Sequence, residues 1–170
     1  MNTKINKMKL FLWISLIALT GVASAHDYNE MNTKSREILQ PGGYQVGDVV
    51  ANFKLKNIDG RILSLSDFAS SKGVIVVFTS NHCPFAKAYE DRLMALNNKY
   101  ASQGFPVIAI NPSDPGTHMD DSFEKMKERA SAKGYNYPYL VDEMQTTAKT
   151  FGAARTPQAY VISRSNGKFV

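Results

Sequence analysis

Two apolar runs, Val74-Ile-Val-Val-Phe78 and Val107-Ile-Ala-Ile110, most constrain what this chain can fold into. A β-branched and aromatic run with no polar alternation describes a strand covered on both faces, and Lys72-Gly73 and Ser80-Asn81 bound the first of them. Between the runs Phe85, Tyr89, Leu93, Leu96 and Tyr100 recur at steps of four, four, three and four. That spacing predicts a helix with one apolar stripe, ending near Gly104. On this phase Tyr89 and Tyr100 belong to the core, and Lys87 and Glu90 face water. Strand, helix and strand so spaced form a βαβ unit, whose strands lie parallel in one sheet. With 170 residues, 44% hydrophobic and 21% charged, the chain is one α/β domain's worth of globular sequence, which excludes disorder and low complexity.

The rest of the pattern attaches to this unit. From His26 to about Gly43 no period is sustained, which describes an irregular lead-in. Phe53 to Asn57 alternates apolar and polar, Asp59-Gly60 is a turn signal and Arg61 to Leu65 resumes the alternation, so an N-terminal β-hairpin is expected. Ser66 and Asp67 start a short helical turn. Past Asn111 the chain is turn-rich, and His118 there reads as solvated. Asp121, three residues before Glu124, resembles a cap for an inserted helix with Phe123, Met126 and Ala130 inward. Tyr139 to Val141 and Ala159 to Ile162 read as strands, and Thr146 to Phe151 as a short helix closed by Gly152. Asn166-Gly167 turns the chain into an antiparallel partner, Lys168 to Val170.

The N-terminus carries its own signal. Lys4, Lys7 and Lys9 precede the apolar run Leu10 to Val22, and Ala23-Ser24-Ala25 supplies an A-x-A cleavage site. Residues 1–25 therefore read as a secretory signal peptide; a retained anchor is the weaker reading, because the run is shorter than the ~20 residues a spanning helix needs. The formal charge of +5 shrinks accordingly: three of the 20 basic residues lie in the leader and none of the 15 acidic ones, leaving 17 against 15. A nucleic-acid partner loses its motive. The mature chain would begin at His26, in the periplasm or secreted, and have no membrane contact after cleavage. An N-terminal amine with an imidazole can chelate copper(II), although chance explains His26 better.

The single cysteine excludes an internal disulfide framework and a thiolate zinc site. Cys83 lies in Thr79-Ser80-Asn81-His82-Cys83-Pro84-Phe85, where the first buried strand becomes the helix, and the carboxyl ends of such strands collect reactive groups. Pro84 suits the first helical position, which puts Cys83 at the helix N-terminus. Unpaired N–H groups there commonly lower a thiol pKa from about 8.5 into the range of roughly 3.5–7.5. The alternative is a small buried packing residue. His82 could stabilise a thiolate as a cation or take its proton as a base, although adjacent residues need not face the same way. Arg155-Thr156-Pro157 leads into a strand, and its proline could simply be the strand's first residue.

Strand, cysteine-bearing helix, strand, helix, Thr-Pro and hairpin together resemble the thioredoxin fold, with Thr156-Pro157 at its cis-proline loop. Within that fold, Phe78 to Leu93 is similar to the redoxin or peroxiredoxin-like family, related to the alkyl hydroperoxide reductase and thiol-specific antioxidant proteins. The likeness runs from about Gly43 to Val170, so 44–170 is the redoxin domain. It implies a thioredoxin-like α/β fold, a central mixed sheet flanked by helices. It further implies that Cys83 is the nucleophile, while the second cysteine position is Ala86 and a further one is Ser80. Ser80 also stands at the offset of the peroxide-orienting Thr in Pro-x-x-x-Thr-x-x-Cys, with Val76 in the proline's place, and Arg155 could approach the thiolate. Thr156 and Pro157 would hold substrate backbone.

The expected activity is an exported thiol-dependent oxidoreductase or antioxidant of cell redox homeostasis. Cys83, with Ser80, His82 and Pro84 around it, attacks a disulfide or a peroxide. An external thiol, from a thioredoxin-like protein or a small molecule, recycles it. No metal or organic cofactor is implied, and the Cys-x-x-x-Cys of copper-delivery proteins with this fold is missing. The rival is a non-catalytic redoxin-like binding module that has lost its partner cysteines. Domains of this type continue past the hairpin into a further helix, so the chain reads as a fragment at Val170.

Overall fold

The computed structural model describes residues 42–170, so the leader, His26 and nearly all of the lead-in lie outside the described residues. The hairpin forms as expected: β1 (Lys54–Asn57) and β2 (Ile62–Ser64) pair antiparallel with Leu55 opposite Leu63. Gly60 takes a φ of +88° in the connecting turn, a conformation that a residue without Cβ adopts freely. The following 3-10 turn (Leu65–Phe68) begins one residue before Ser66, with Ser64 as its N-cap. The Ser64 N–H donates to Asp67 Oδ2 at 2.7 Å.

The βαβ unit consists of β3 (Gly73–Phe78), α1 (Pro84–Tyr100) and β4 (Val107–Asn111). Both strands are buried throughout and pair in parallel from Ile75↔Val107 to Phe78↔Ile110. After β4 come a 3-10 turn (Met119–Asp121), α2 (Phe123–Lys133), β5 (Tyr139–Val141), α3 (Thr146–Phe151), β6 (Gln158–Ser165) and β7 (Lys168–Phe169). The sheet order is β2-β1-β5-β4-β3-β6-β7. Strands β3, β4 and β5 are parallel, whereas β1 and β6 join them antiparallel. This mixed sheet with its helices is the thioredoxin-like fold.

Alternation along the strands divides the core. Val74, Val76 and Phe78 pack with Ile108, Ile110 and Phe151 on one face, while Ile75 and Val77 pack with Leu93 of α1 and Met126 of α2 on the other. Phe151 of the short α3 meets the rings of Tyr44, Phe53, Phe78 and Tyr160 edge-on. On the α1 side β6 leaves Val161, the register partner of Ile75, 70% exposed.

The phase of α1 differs from the apolar stripe. Its buried residues are Ala86, Glu90, Leu93 and Asn97, whereas Phe85 is 72% and Tyr89 44% exposed. The spacing is still helical, but two inward positions are polar because partners await them. Glu90, expected to face water, is ion-paired with Arg129 of α2 and lies 3.5 Å from Lys133 Nζ. Asn97 Oδ1 accepts the Val107 N–H at 3.0 Å and its Nδ2 donates to Asn136 O at 2.8 Å, tying the helix to the start of β4. Apolar counting places the stripe one residue off, since it scores these two side chains as outward. Asp121 departs from expectation as well: Ser122 is the N-cap of α2, and the Asp121 side chain turns inward.

Candidate active site around Cys83

Cys83 is the N-cap of α1 in an extended conformation, with Pro84 at the first helical position as its missing N–H allows. Because β6 runs antiparallel to β3 with Gln158 opposite Phe78, the residues entering β6 face those leaving β3. This register brings the cis Thr156-Pro157 peptide beside a cysteine distant in sequence, and Cys83 Sγ lies 3.3 Å from the Thr156 carbonyl oxygen. Burial pushes the thiol pKa up, the largest single influence. Hydrogen bonds from the Thr156 side chain and from the Ala86 and Phe85 N–H groups pull it down, and the negative charge of Asp121 raises it again. The net lies below the ordinary thiol value, as first-turn amides favour an anion.

Beneath this turn lies a polar network centred on Asp121, which is 1% exposed. Its Oδ1 accepts the Asn81 N–H at 2.5 Å and Asn111 Nδ2 at 2.8 Å. Its Oδ2 accepts His82 Nδ1 and, at 3.3 Å, the Ser80 hydroxyl. Burial alone would raise the carboxyl pKa, but the hydrogen bonds from His82, Asn111 and the Asn81 N–H outweigh it and hold the group below the usual carboxylate range. An ionised carboxylate only accepts, so the proton between Asp121 and His82 sits on Nδ1, and Nε2 is the ring's free nitrogen. Tyr139, fully buried, donates its hydroxyl to Asn81 Oδ1 at 2.9 Å and accepts from Asn111 Nδ2 at 3.2 Å. Asn81 Nδ2 reaches the Asp120 carbonyl at 2.7 Å. The ends of β3 and β4 are thereby bound to the 3-10 turn.

The candidate residues thus fall into two groups. Ser80, His82, Cys83, Pro84, Thr156 and Pro157 are gathered at the carboxyl ends of the central strands. Ser80 Oγ accepts the Cys83 N–H at 3.3 Å and lies 2.8 Å from His82 Nδ1, so its contacts are with Asp121, His82 and the backbone of the turn. His82 directs Nδ1 at Asp121 and stacks flat on His118, with ring centroids 3.6 Å apart and planes 13° from parallel. His118 is exposed as expected, yet it is not merely solvated. Arg155 stands apart: it is exposed and makes no hydrogen bond or ion pair among the described residues. Ala86, at the second cysteine position, is buried against the core.

Asp121, Asn111 and Tyr139 are the site residues that sequence reading missed. Nothing local separates Asp121 from the neighbouring Asp120, which is exposed and contributes only its carbonyl. The one available signal was polarity at the ends of two buried strands, Asn81 and Asn111, which had to be satisfied by something.

The chain is similar to known proteins in sequence and in fold. Peroxiredoxin Q, chloroplastic, from Gentiana triflora is 29% identical over 137 residues, covering 70% of this chain and 54% of that protein. The chain therefore spans about half the length of the curated relatives it matches. A crystal structure of a hypothetical protein from Sinorhizobium meliloti 1021 superposes with a TM-score of 0.70 at 34% identity, covering 75% of this chain and 69% of that one. An uncharacterized conserved protein from Geobacillus kaustophilus gives 0.68 at 37% identity, covering 78% and 68%. The AhpC/TSA family model matches residues 46–168, from ahead of β1 into β7 and across both Cys83 and the Thr156-Pro157 loop, and the chain belongs to that family.

Proposed function

We propose that this protein is a thiol-dependent oxidoreductase in which the Cys83 thiolate attacks a sulfur–sulfur or oxygen–oxygen bond. The observation that carries the reading is the sulfur's position, at the first turn of α1 with the Phe85 and Ala86 N–H groups behind it and the cis Thr156-Pro157 peptide opposite. A disulfide fits this arrangement best. The Thr156 backbone beside the sulfur offers polar groups to an extended substrate strand, while the Ser80 hydroxyl is engaged with Asp121 and the Cys83 amide. Attack forms a Cys83–substrate disulfide and expels the other substrate sulfur as a thiolate; an external thiol then attacks the mixed disulfide and frees Cys83.

A peroxide is the second reading, favoured by the peroxiredoxin Q relatives. The product would be a Cys83 sulfenic acid, again recycled by an external thiol, and orienting the oxidant would require the Ser80 hydroxyl to turn from Asp121 and Arg155 to swing in from solvent. Export to the periplasm or beyond belongs to the same proposal and rests on the leader motif of residues 1–25. Among the described residues no helix is long and apolar enough to cross a membrane. Cys83→Ser tests the whole reading: both disulfide exchange and peroxide consumption should disappear. Retention of both would make the chain a binding module in which the cysteine only packs.

A further inference from the structure

We infer that Asp121 is a positioning residue which, through His82, delivers a proton to the group expelled when Cys83 attacks its substrate. The inference rests on the reading of Cys83 as nucleophile. Its basis is the way the imidazole is held. Nδ1 is fixed by the buried Asp121 carboxylate with Ser80 Oγ beside it, and one ring face is covered by His118. Asp121 is itself immobilised by Asn81 and Asn111, from the ends of β3 and β4. The side chain of His82 nevertheless remains 33% exposed, so Nε2 stays available beside the residue that carries the nucleophile. A histidine present only for packing needs no buried carboxylate to set its tautomer and no second ring to set its plane.

Ser80, His82 and Asp121 do not form a nucleophilic serine triad. Ser80 Oγ and Asp121 Oδ2 meet the same ring nitrogen, and Ser80 is 3% exposed. The ring's outer nitrogen therefore serves the neighbouring sulfur's reaction. For a disulfide, Cys83 S⁻ forms a new S–S bond while the substrate S–S bond breaks. Nε2, unprotonated in the resting ring, takes up the Cys83 thiol proton as the thiolate forms, and the expelled thiolate then takes that proton from Nε2 and leaves as a thiol. For a peroxide, the O–O bond breaks, the expelled alkoxide or hydroxide takes the same proton, and Cys83 is left as a sulfenic acid. The proton returns from solvent, or from the incoming external thiol, which must be deprotonated to attack. Among the described residues the titratable groups in contact with the imidazole are Asp121 and His118, and Cys83 is its neighbour along the chain.

The test compares leaving groups. Asp121→Asn presents an amide N–H to Nδ1 and transfers the neutral ring's proton to Nε2, which long-range proton–nitrogen NMR of His82 reads directly. His82→Asn keeps a donor for Asp121 but lacks the outer nitrogen. Reaction of each variant is followed with an aliphatic disulfide, whose leaving thiol is basic, and with an aromatic disulfide, whose leaving thiolate needs no proton. General acid assistance is worth roughly 10²–10⁴-fold, so both variants should lose at least about tenfold with the aliphatic probe and less than about twofold with the aromatic one. Removing the Asp121 charge should also lower the Cys83 pKa, so the aliphatic reaction slows although more thiolate is present. Equal losses on both probes in variants that keep the native circular dichroism, no loss on either, or an unchanged His82 tautomer in Asp121→Asn would overturn the inference. A wild-type protein no faster than a free thiol with either probe would remove the proposed function and this inference together.

Discussion

The Glu90–Arg129 pair makes an asymmetric prediction about stability. The Glu90 side chain is 5% exposed, Arg129 is 26% and Lys133 42%, so the carboxylate is the interior member and the cations reach solvent. Replacing Arg129 by Leu strands a buried carboxylate with only Lys133 Nζ, 3.5 Å from Oε2, left to pair with it. Breaking a buried pair from one side costs about 3–5 kcal/mol; with Lys133 remaining, about 2–4 kcal/mol is expected for Arg129→Leu. Glu90→Leu instead removes the buried charge and frees Arg129 and Lys133, which reach solvent and can hydrate, so its cost should be about 0–1.5 kcal/mol. The double variant should recover most of the loss caused by Arg129→Leu.

Acid provides the second axis. Burial pushes the Glu90 pKa up, but hydrogen bonds from Arg129 and Tyr135 and the Arg129 charge hold it below the ordinary value in the folded protein. A depressed folded-state pKa contributes stability that is present above the unfolded pKa and is lost as pH falls through the folded one. Without Arg129 burial dominates and the sign reverses: protonating Glu90 relieves the variant, so its deficit should shrink between pH 7 and pH 4. Urea unfolding at both pH values, for the two single variants and the double, supplies the measurement. If Glu90→Leu proved as damaging as Arg129→Leu, or the Arg129→Leu deficit grew on acidification, the asymmetry argued from burial would be wrong.

Two further outcomes are expected. Ultraviolet titration of the Cys83 thiolate should give an apparent pKa below the ordinary thiol value of about 8.5; a value at or above it would mean that the first turn of α1 does not activate the sulfur. Tyr139→Phe removes the donor to Asn81 Oδ1 in a fully buried network and should cost about 1–3 kcal/mol by urea unfolding, with a native-like circular dichroism spectrum. A neutral effect would show that Asn81 finds another donor.

Legibility followed the kind of interaction involved. β3 and β4 were readable because a strand covered on both faces must be apolar at every position, and Val74 to Phe78 and Val107 to Ile110 state this locally. The turns at Gly60, Gly104 and Gly152 were readable because a positive φ selects glycine. The phase of α1 was not, because Glu90 and Asn97 are inward only by virtue of Arg129, Val107 and Asn136, which lie on other elements. Arg155 shows the reverse case: its place beside the Thr-Pro step suggested contact with the thiolate, yet it stays exposed and unbonded among the described residues.

By itself the sequence determined the parallel βαβ unit, the seat of Cys83 before Pro84 at its strand-to-helix turn, and the pattern that marks the fold. Those properties depend on side-chain periodicity, ring geometry and backbone donors within a few residues of one another. Only the tertiary structure decided what surrounds the sulfur. Antiparallel pairing of β6 with β3 carries the Thr156 carbonyl to Sγ, and the 3-10 turn after β4 buries one of two adjacent aspartates under His82. A hydrogen bond between residues dozens of positions apart has no local imprint, since either partner alone is an ordinary polar side chain until folding removes the water that would otherwise satisfy it.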